Sequence, residues 1–322
     1  MPRPSVLNLV DDDALARSAE ELLVALARRP REIPSRYGYD ARGSELFERI
    51  ARLEAYYPPR LERAILRRLA PDLDPFDELV ELGSGSGRKT RLLLDALLAH
   101  APVVYSQLDV SGEMLRESCE RYAAYHPRLR VRGAIGEFVA GLRWAAGDRA
   151  GRRLVVMLGS TIGNLDHEAR RELWTALSAS LEVGDGFLVG VDLAKDPAIV
   201  EAAYRCGYEG PDAVRTQFAL NRLTHLNRLF GADFDPAGYE ADSIYDSPRR
   251  TVEGRLTSTR PQVVTLLGTQ IAIDDGEILV RDRMRKFTID ELAAEAADSD
   301  LYMTRTWLDD DGWYVMALFS PR

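Results

Sequence analysis

The 322-residue chain is expected to fold as an α/β protein: a doubly wound, mainly parallel sheet with a C-terminal antiparallel hairpin, plus a smaller α+β lobe. Three observations predict this. From Phe76 to Leu193, short apolar runs alternate with stretches of helical spacing, the pattern of βαβ units with right-handed crossovers. Over 200–285 that rhythm breaks, and period-two stretches read as antiparallel strands. Near the end, MTRTWLDDDGWYVMALF places two strand-like runs around an Asp-Asp-Gly turn.

In order along the chain, DDDALARSAEELLVALAR (11–28) has helical apolar spacing after acidic caps. The turn-rich REIPSRYGYDARGSELFERI follows and carries Tyr37, Tyr39 and Phe47. Pro58 and Pro59 are expected to stop one element, with the next helix running from about Leu61. ELVEL (78–82) is the first strand, followed by a Gly-rich turn and the helix KTRLLLDALLAH. VVYSQLDV (103–110) and LRVRGAIGEF (129–138) are the second and third strands, with the helix SGEMLRESCERYAAYH after the second. RRLVVMLGS (152–160) is the fourth, with a helix around HEARRELWTALSASL, and GFLVGVDL (186–193) the fifth. The insertion opens with a helical segment around Tyr204 and the Asn- and Arg-rich LNRLTHLNRLFGADFD. RLTSTRPQVVTLLGTQIAI and EILVRDRMRKF then read as strands, before the helix TIDELAAEAADS. The sheet domain is placed at 60–199 and 286–322, and the lobe at 1–59 and 200–285.

Composition narrows the function classes. A net charge of −9 argues against a nucleic-acid partner, which would favour a basic face. Cys119, Cys206 and the four histidines (His100, His126, His167 and His225) show no metal-ligand spacing, so no metal is expected. No apolar run reaches membrane length and the N-terminus lacks a signal-peptide core, so a cytoplasmic setting without a membrane partner is expected.

The chemistry starts at ELGSGSGRKT (81–90). Gly83, Gly85 and Gly87 lie where a strand turns into a helix, and glycine there lets the backbone approach a ligand. Dinucleotide and methyl-donor sites both use such turns. Three features favour S-adenosylmethionine. The pattern is E-x-G-x-G-x-G; Asp109 closes the second strand, where a carboxylate accepts ribose hydroxyls; and Glu137-Phe138 closes the third, where an acid reaches the adenine amine and a ring stacks on the base. Taken singly, Asp109 reads equally as a helix cap and Phe138 as core. Lys89 is either a solvated surface residue or a contact to the donor's carboxylate.

The fourth strand ends in VMLGSTIGNL (156–165). Amine methylation needs a neutral nitrogen, oriented in a water-poor pocket. Asn164 can accept an N–H without imposing charge, and Gly159 and Gly163 allow close backbone approach. The alternative is that Asn164 caps the helix beginning near Asp166.

GYDARGSELFERIARLEAYYPPR, ELGSGSGRKT, LDVSGEML, VMLGSTIGNL and VDLAKDPAIVEAAY, in this order, resemble the histidine-specific Nα-methyltransferases of ergothioneine biosynthesis. The resemblance implies a monomeric class I methyltransferase with a Rossmann-like sheet and a substrate lobe, converting L-histidine to trimethylhistidine (hercynine) with S-adenosylmethionine. It implies donor contacts at Gly83, Lys89, Asp109, Glu137 and Phe138, to which the glycine-bearing strand exits add Gly85 and Gly159 as expected donor contacts. The family more typically has Asp where this chain has Glu137. It further implies that Tyr39, Tyr56 and Asn164 hold the α-amine and Tyr204 the substrate carboxylate.

EILVRDRMRKF departs from the resemblance, which has Glu-x-Ser before the Lys-Phe pair to bind the imidazole. Here Asp282 and Met284 stand at those positions: Asp282 is expected to take an imidazole N–H from one methylene further back, whereas Met284 cannot replace a hydroxyl. Gly254 stands for a family Met and is expected to enlarge or reshape the pocket. Another amino acid, such as tryptophan or tyrosine, is therefore an alternative substrate. A non-catalytic donor-binding module and a dinucleotide oxidoreductase are the alternatives from other classes.

Overall fold

A computed structural model describes residues 4–10, 14–209 and 213–322. In chain order the strands are β1 (Ser5–Asn8), β2 (Arg31–Glu32), β3 (Glu78–Leu82), β4 (Val103–Asp109), β5 (Leu129–Ile135), β6 (Arg153–Met157) and β7 (Gly186–Asp192). They continue as β8 (Tyr239–Asp246), β9 (Thr251–Ser258), β10 (Gln262–Leu266), β11 (Thr269–Ile273), β12 (Ile278–Arg285), β13 (Leu301–Leu308) and β14 (Tyr314–Pro321). The helices are α1 (Ala14–Ala27), α2 (Ala41–Ile50), α3 (Pro58–Leu69), α4 (Arg91–His100) and α5 (Gly112–Ala123). After them come α6 (Phe138–Gly147), α7 (His167–Ser180), α8 (Pro197–Arg205), α9 (Val214–Phe230) and α10 (Ile289–Ala297).

The chain divides into two compact units, one of residues 1–10, 58–194 and 286–322, the other of 11–57 and 195–285. The first holds an eight-stranded sheet ordered β1-β5-β4-β3-β6-β7-β14-β13. Strands β1 to β7 in this sheet run parallel, and β14 joins β7 antiparallel with β13 beyond it. Strand order reverses at β3, so the ends of β3 and β6 flank the switch point where such sheets bind ligands. Every residue of β3, β6 and β7 is buried, as strands covered on both faces require. This is the mainly parallel, doubly wound sheet with a C-terminal antiparallel hairpin expected from the sequence.

Several details differ from the sequence reading, among them α2 in a passage read as turn-rich and α6 after β5, where no helix is expected. Residues 5–8 were expected in the lobe, but pair with β5 at the sheet edge, a strand too short to be marked by alternation. Pro58 and Pro59 open α3 rather than ending an element, because first-turn amides need no intrahelical partner.

The second unit holds a four-stranded sheet, β2-β12-β9-β8, and the β10-β11 hairpin. Along β9, Val252, Gly254, Leu256 and Ser258 alternate inward. Its core joins Leu22 and Leu26 of α1 to Leu223 and Leu226 of α9, with Leu256 and Leu279 from the sheet. The register of β12 against β9 shifts between Val280 and Asp282, a bulge that re-aims Arg281. The expected start of α1 at 11–13 lies outside the described residues. No helix among the described residues is long and apolar enough to cross a membrane.

Candidate active site

In the sheet unit, β3 gives way to a loop in which Gly83, Gly85 and Gly87 have φ of +74°, +49° and +64°. That left-handed region penalises any Cβ, which accounts for three glycines in five positions. The amides of Gly83 and Ser84 donate to the Leu108 carbonyl at 2.9 and 3.0 Å, fastening the loop to the end of β4. Asp109 completes the fastening: Gly85 N donates to Oδ2 at 2.8 Å and Ser111 N to Oδ1 at 2.9 Å. Burial raises the Asp109 carboxyl above its usual range, and these amides oppose the shift.

At the end of β5, Glu137 is exposed and Phe138 opens α6, half-buried against the sheet core. A Cβ on Gly83 would lie 3.6 Å from the Phe138 ring. Gly83, Gly85, Asp109, Glu137 and Phe138 thus stand at the ends of three adjacent strands. Their donor set fits S-adenosylmethionine: open backbone at two glycines, a carboxylate on a neighbouring strand end, then an acid beside a ring.

Beneath the loop, Glu81 is buried and accepts hydrogen bonds from the Thr90 and Tyr105 hydroxyls. Burial pushes its carboxyl up to about 7 from 4.5, although both hydrogen bonds oppose this. The folded chain therefore holds this proton more tightly than the unfolded chain. The contribution to stability is complete below pH 4.5 and is lost as pH rises through about 7. We expect wild-type stability to fall relative to Glu81→Gln by on the order of 3 kcal/mol between pH 4 and 8, measured by denaturant unfolding. A pH-independent difference would contradict this.

The exit from β6 is also left-handed, with φ of +78° at Gly159 and +58° at Ser160. A non-glycine residue is strained there. Ser160 is held in place because its Oγ accepts from Asp192 N at 3.0 Å. The short 3₁₀ turn Thr161–Asn164 follows. The next helix, α7, is capped by Asp166, whose Oδ1 accepts from Ala169 N at 2.9 Å. Asn164, half-buried two residues earlier, is not that cap. Lys89 lies before α4 rather than inside it, and pairs with the fully buried Glu62 of α3.

In the second unit, Tyr56 and Tyr204 meet edge to face, 5.4 Å apart at 87°. The Arg215 guanidinium lies 4.6 Å from the Tyr56 ring centre and 5.7 Å from that of Tyr204. Arg215 is fixed in turn by the Cys206 carbonyl, to which its Nε donates at 2.7 Å. Tyr39 packs edge-on against Phe47 and Phe218. Burial holds its hydroxyl well above the ordinary tyrosine range; the Asp282 charge adds to this, and the Arg222 charge opposes it.

Asp282 lies between two guanidiniums. Its Oδ1 accepts from Arg222 at 2.9 Å and its Oδ2 from Arg281, and each oxygen keeps a lone pair for a further donor such as an imidazole N–H. The space beside Gly254 is filled rather than enlarged. A Cβ on Gly254 would fall 2.8 Å from Cζ of Arg281, whose guanidinium also donates to the Tyr208 hydroxyl. The bulge in β12 is the cause, since it turns Arg281 towards the residue opposite Asp282. Met284 pairs with Val252, two residues further along the ladder. Gly254→Ala is expected to crowd this guanidinium, costing about 1–3 kcal/mol of stability and raising the amino-acid KM without changing donor affinity. Calorimetric titration with each ligand separates the two effects, and an unchanged KM would exclude Gly254 from the substrate site.

Sequence reasoning missed Glu62, Arg215, Arg222 and Arg281. The first had one signal, Gly190 in the middle of a strand otherwise rich in large apolar residues. The arginines had none, because nothing in their spacing distinguishes a buried guanidinium from a solvated one.

Residues 18–321 match the model of a family described as histidine-specific methyltransferase, SAM-dependent. A histidine N-alpha-methyltransferase of Mycolicibacterium smegmatis is 34% identical over 316 residues, covering 96% of this chain and 97% of that protein. A second, from Mycobacterium tuberculosis, is 34% identical over 323 residues, covering 98% and 99%. An N-methyltransferase of Aspergillus flavus is 24% identical over 308 residues, covering 91% and 82%.

Proposed function

The chain belongs to the histidine-specific, SAM-dependent methyltransferase family, and from that premise we propose that it methylates the α-amine of free L-histidine, up to the trimethylated betaine. The observation that carries this reading is a donor loop of left-handed glycines anchored on Asp109, within a chain similar along its length to two histidine N-alpha-methyltransferases. S-adenosylmethionine, when bound, supplies an electrophilic methyl group on a sulfonium centre. Asp109 would accept the ribose hydroxyls, Glu137 the adenine amine, and Phe138 would stack on the base. Lys89 would meet the donor's carboxylate, and Gly83, Gly85 and Gly159 would admit the donor against the backbone.

On the amino-acid side, Tyr204 would hold the carboxylate, while Tyr56, Tyr39 and Asn164 would orient the amine. Because Tyr39 stays protonated far above neutral pH, it orients the nitrogen and does not deprotonate it. Hydroxyls and an amide can follow an amine that loses N–H groups with each methylation, which a fixed ion pair cannot. The reading takes the enzyme to be a cytoplasmic monomer acting on a small-molecule substrate, a setting suited to two free cysteines.

A second reading, the same chemistry on another amino acid such as tryptophan or tyrosine, is favoured by one observation. Both oxygens of Asp282 already accept from guanidiniums, which weakens the carboxylate as an acceptor for an imidazole N–H. Incubating the protein with S-adenosylmethionine and each proteinogenic amino acid decides between them. Mass gains of one to three methyl groups on histidine are expected. Gains on another amino acid, with none on histidine, would move the assignment to the second reading, and gains on none would sink both.

A further inference from the structure

The geometry points to Glu62 as a positioning residue for donor binding, acting through Lys89 and the β6 exit. Its carboxylate is fully buried on α3. Burying a carboxylate is costly unless charge-assisted hydrogen bonds surround it. Here three donors do: Lys89 Nζ on Oε2, and on Oε1 the Gly159 amide at 2.6 Å and the Tyr314 hydroxyl at 2.7 Å. The surrounding chain is shaped to admit it, because a Cβ on Gly190 would overlap Glu62 Oε1 and approach Tyr314. This accounts for a glycine in the middle of β7, where no turn and no positive φ requires one.

The arrangement has a direction. Lys89 Nζ is held from its buried side, while about 29% of its side chain remains exposed. A Cβ on Gly159 would lie only 3.3 Å from that nitrogen, so the lysine and the β6 exit share one small space. The Gly159 and Tyr314 donors disperse the negative charge of Glu62. The Lys89 ammonium therefore keeps attraction for a second carboxylate on its open side. Glu62 fixes both the ammonium and the first residue of the left-handed β6 exit, making the two a single rigid feature. The inference rests on the reading of Lys89 as the contact to the donor's carboxylate.

A double-mutant cycle tests it, with S-adenosylhomocysteine binding read by calorimetry and folding checked by thermal melting. Glu62→Gln retains an acceptor for Gly159 and Tyr314 but turns an amide N–H towards Lys89. It is expected to weaken binding about tenfold. Lys89→Met is expected to weaken binding by a similar factor, and Glu62→Gln added to Lys89→Met should then cost nothing more. Wild-type affinity in Glu62→Gln, or an equal loss with Lys89 already replaced, overturns the inference alone. Wild-type affinity in Lys89→Met overturns the donor role of Lys89 and the inference with it. If Glu62→Gln does not fold, Glu62→Asp gives the same comparison, since it keeps the buried charge but withdraws it from Lys89 by one methylene.

Discussion

Asn164→Ala is expected to lower kcat by about two orders of magnitude while donor affinity stays within about twofold of wild type. The size follows from orientation: losing one contact that aims a reacting nitrogen costs far more in turnover than in ground-state binding. The structure removes the competing explanation, because Asp166 caps α7 through Ala169 N at 2.9 Å. Asp166→Ala is the matching control and should cost about 1 kcal/mol of stability, with kcat scarcely changed. Single-turnover kinetics with S-adenosylmethionine and histidine, set beside donor calorimetry, separate the outcomes. A parallel loss of donor affinity in Asn164→Ala would mean that the side chain shapes the β6 exit rather than the amine.

Asp109→Ala is expected to weaken donor binding by about two orders of magnitude or more. Two effects add. The carboxylate that would accept two ribose hydroxyls is removed, and hydrogen bonds to a charged group are worth about 1.5–3 kcal/mol each. The amides of Gly85 and Ser111 also lose their acceptor, so the glycine loop loses its anchor to β4. Asp109→Asn keeps one acceptor oxygen and should lose less. Calorimetry with S-adenosylhomocysteine reads both variants, and affinity within twofold of wild type in Asp109→Ala would remove Asp109 from the donor site.

How much of this was legible in the sequence depended on the range of the interactions concerned. The sheet strands were readable because full burial of β3, β6 and β7 leaves continuous apolar runs. The glycine loop after β3 was readable because positive φ at Gly83, Gly85 and Gly87 leaves a local signature in residue type. Asn164 was half-readable, since a cap and an amine contact use the same residue type in the same place. The lobe's side-chain network was not readable. The bulge that turns Arg281 over Gly254 depends on pairing with a strand some thirty residues earlier.

By itself, then, the sequence determined the α/β class, the strand ends around the glycine loop, and residue types of the kind a methyl donor and an amine require. These follow from burial patterns and backbone dihedrals, which act within a few residues. Tertiary structure alone decided that Asp166 rather than Asn164 is the cap, that Asp282 pairs with two guanidiniums, and that Glu62 grips Lys89 from beneath. Each of those depends on which buried charges find partners far away in the chain, and no local pattern encodes such a pairing.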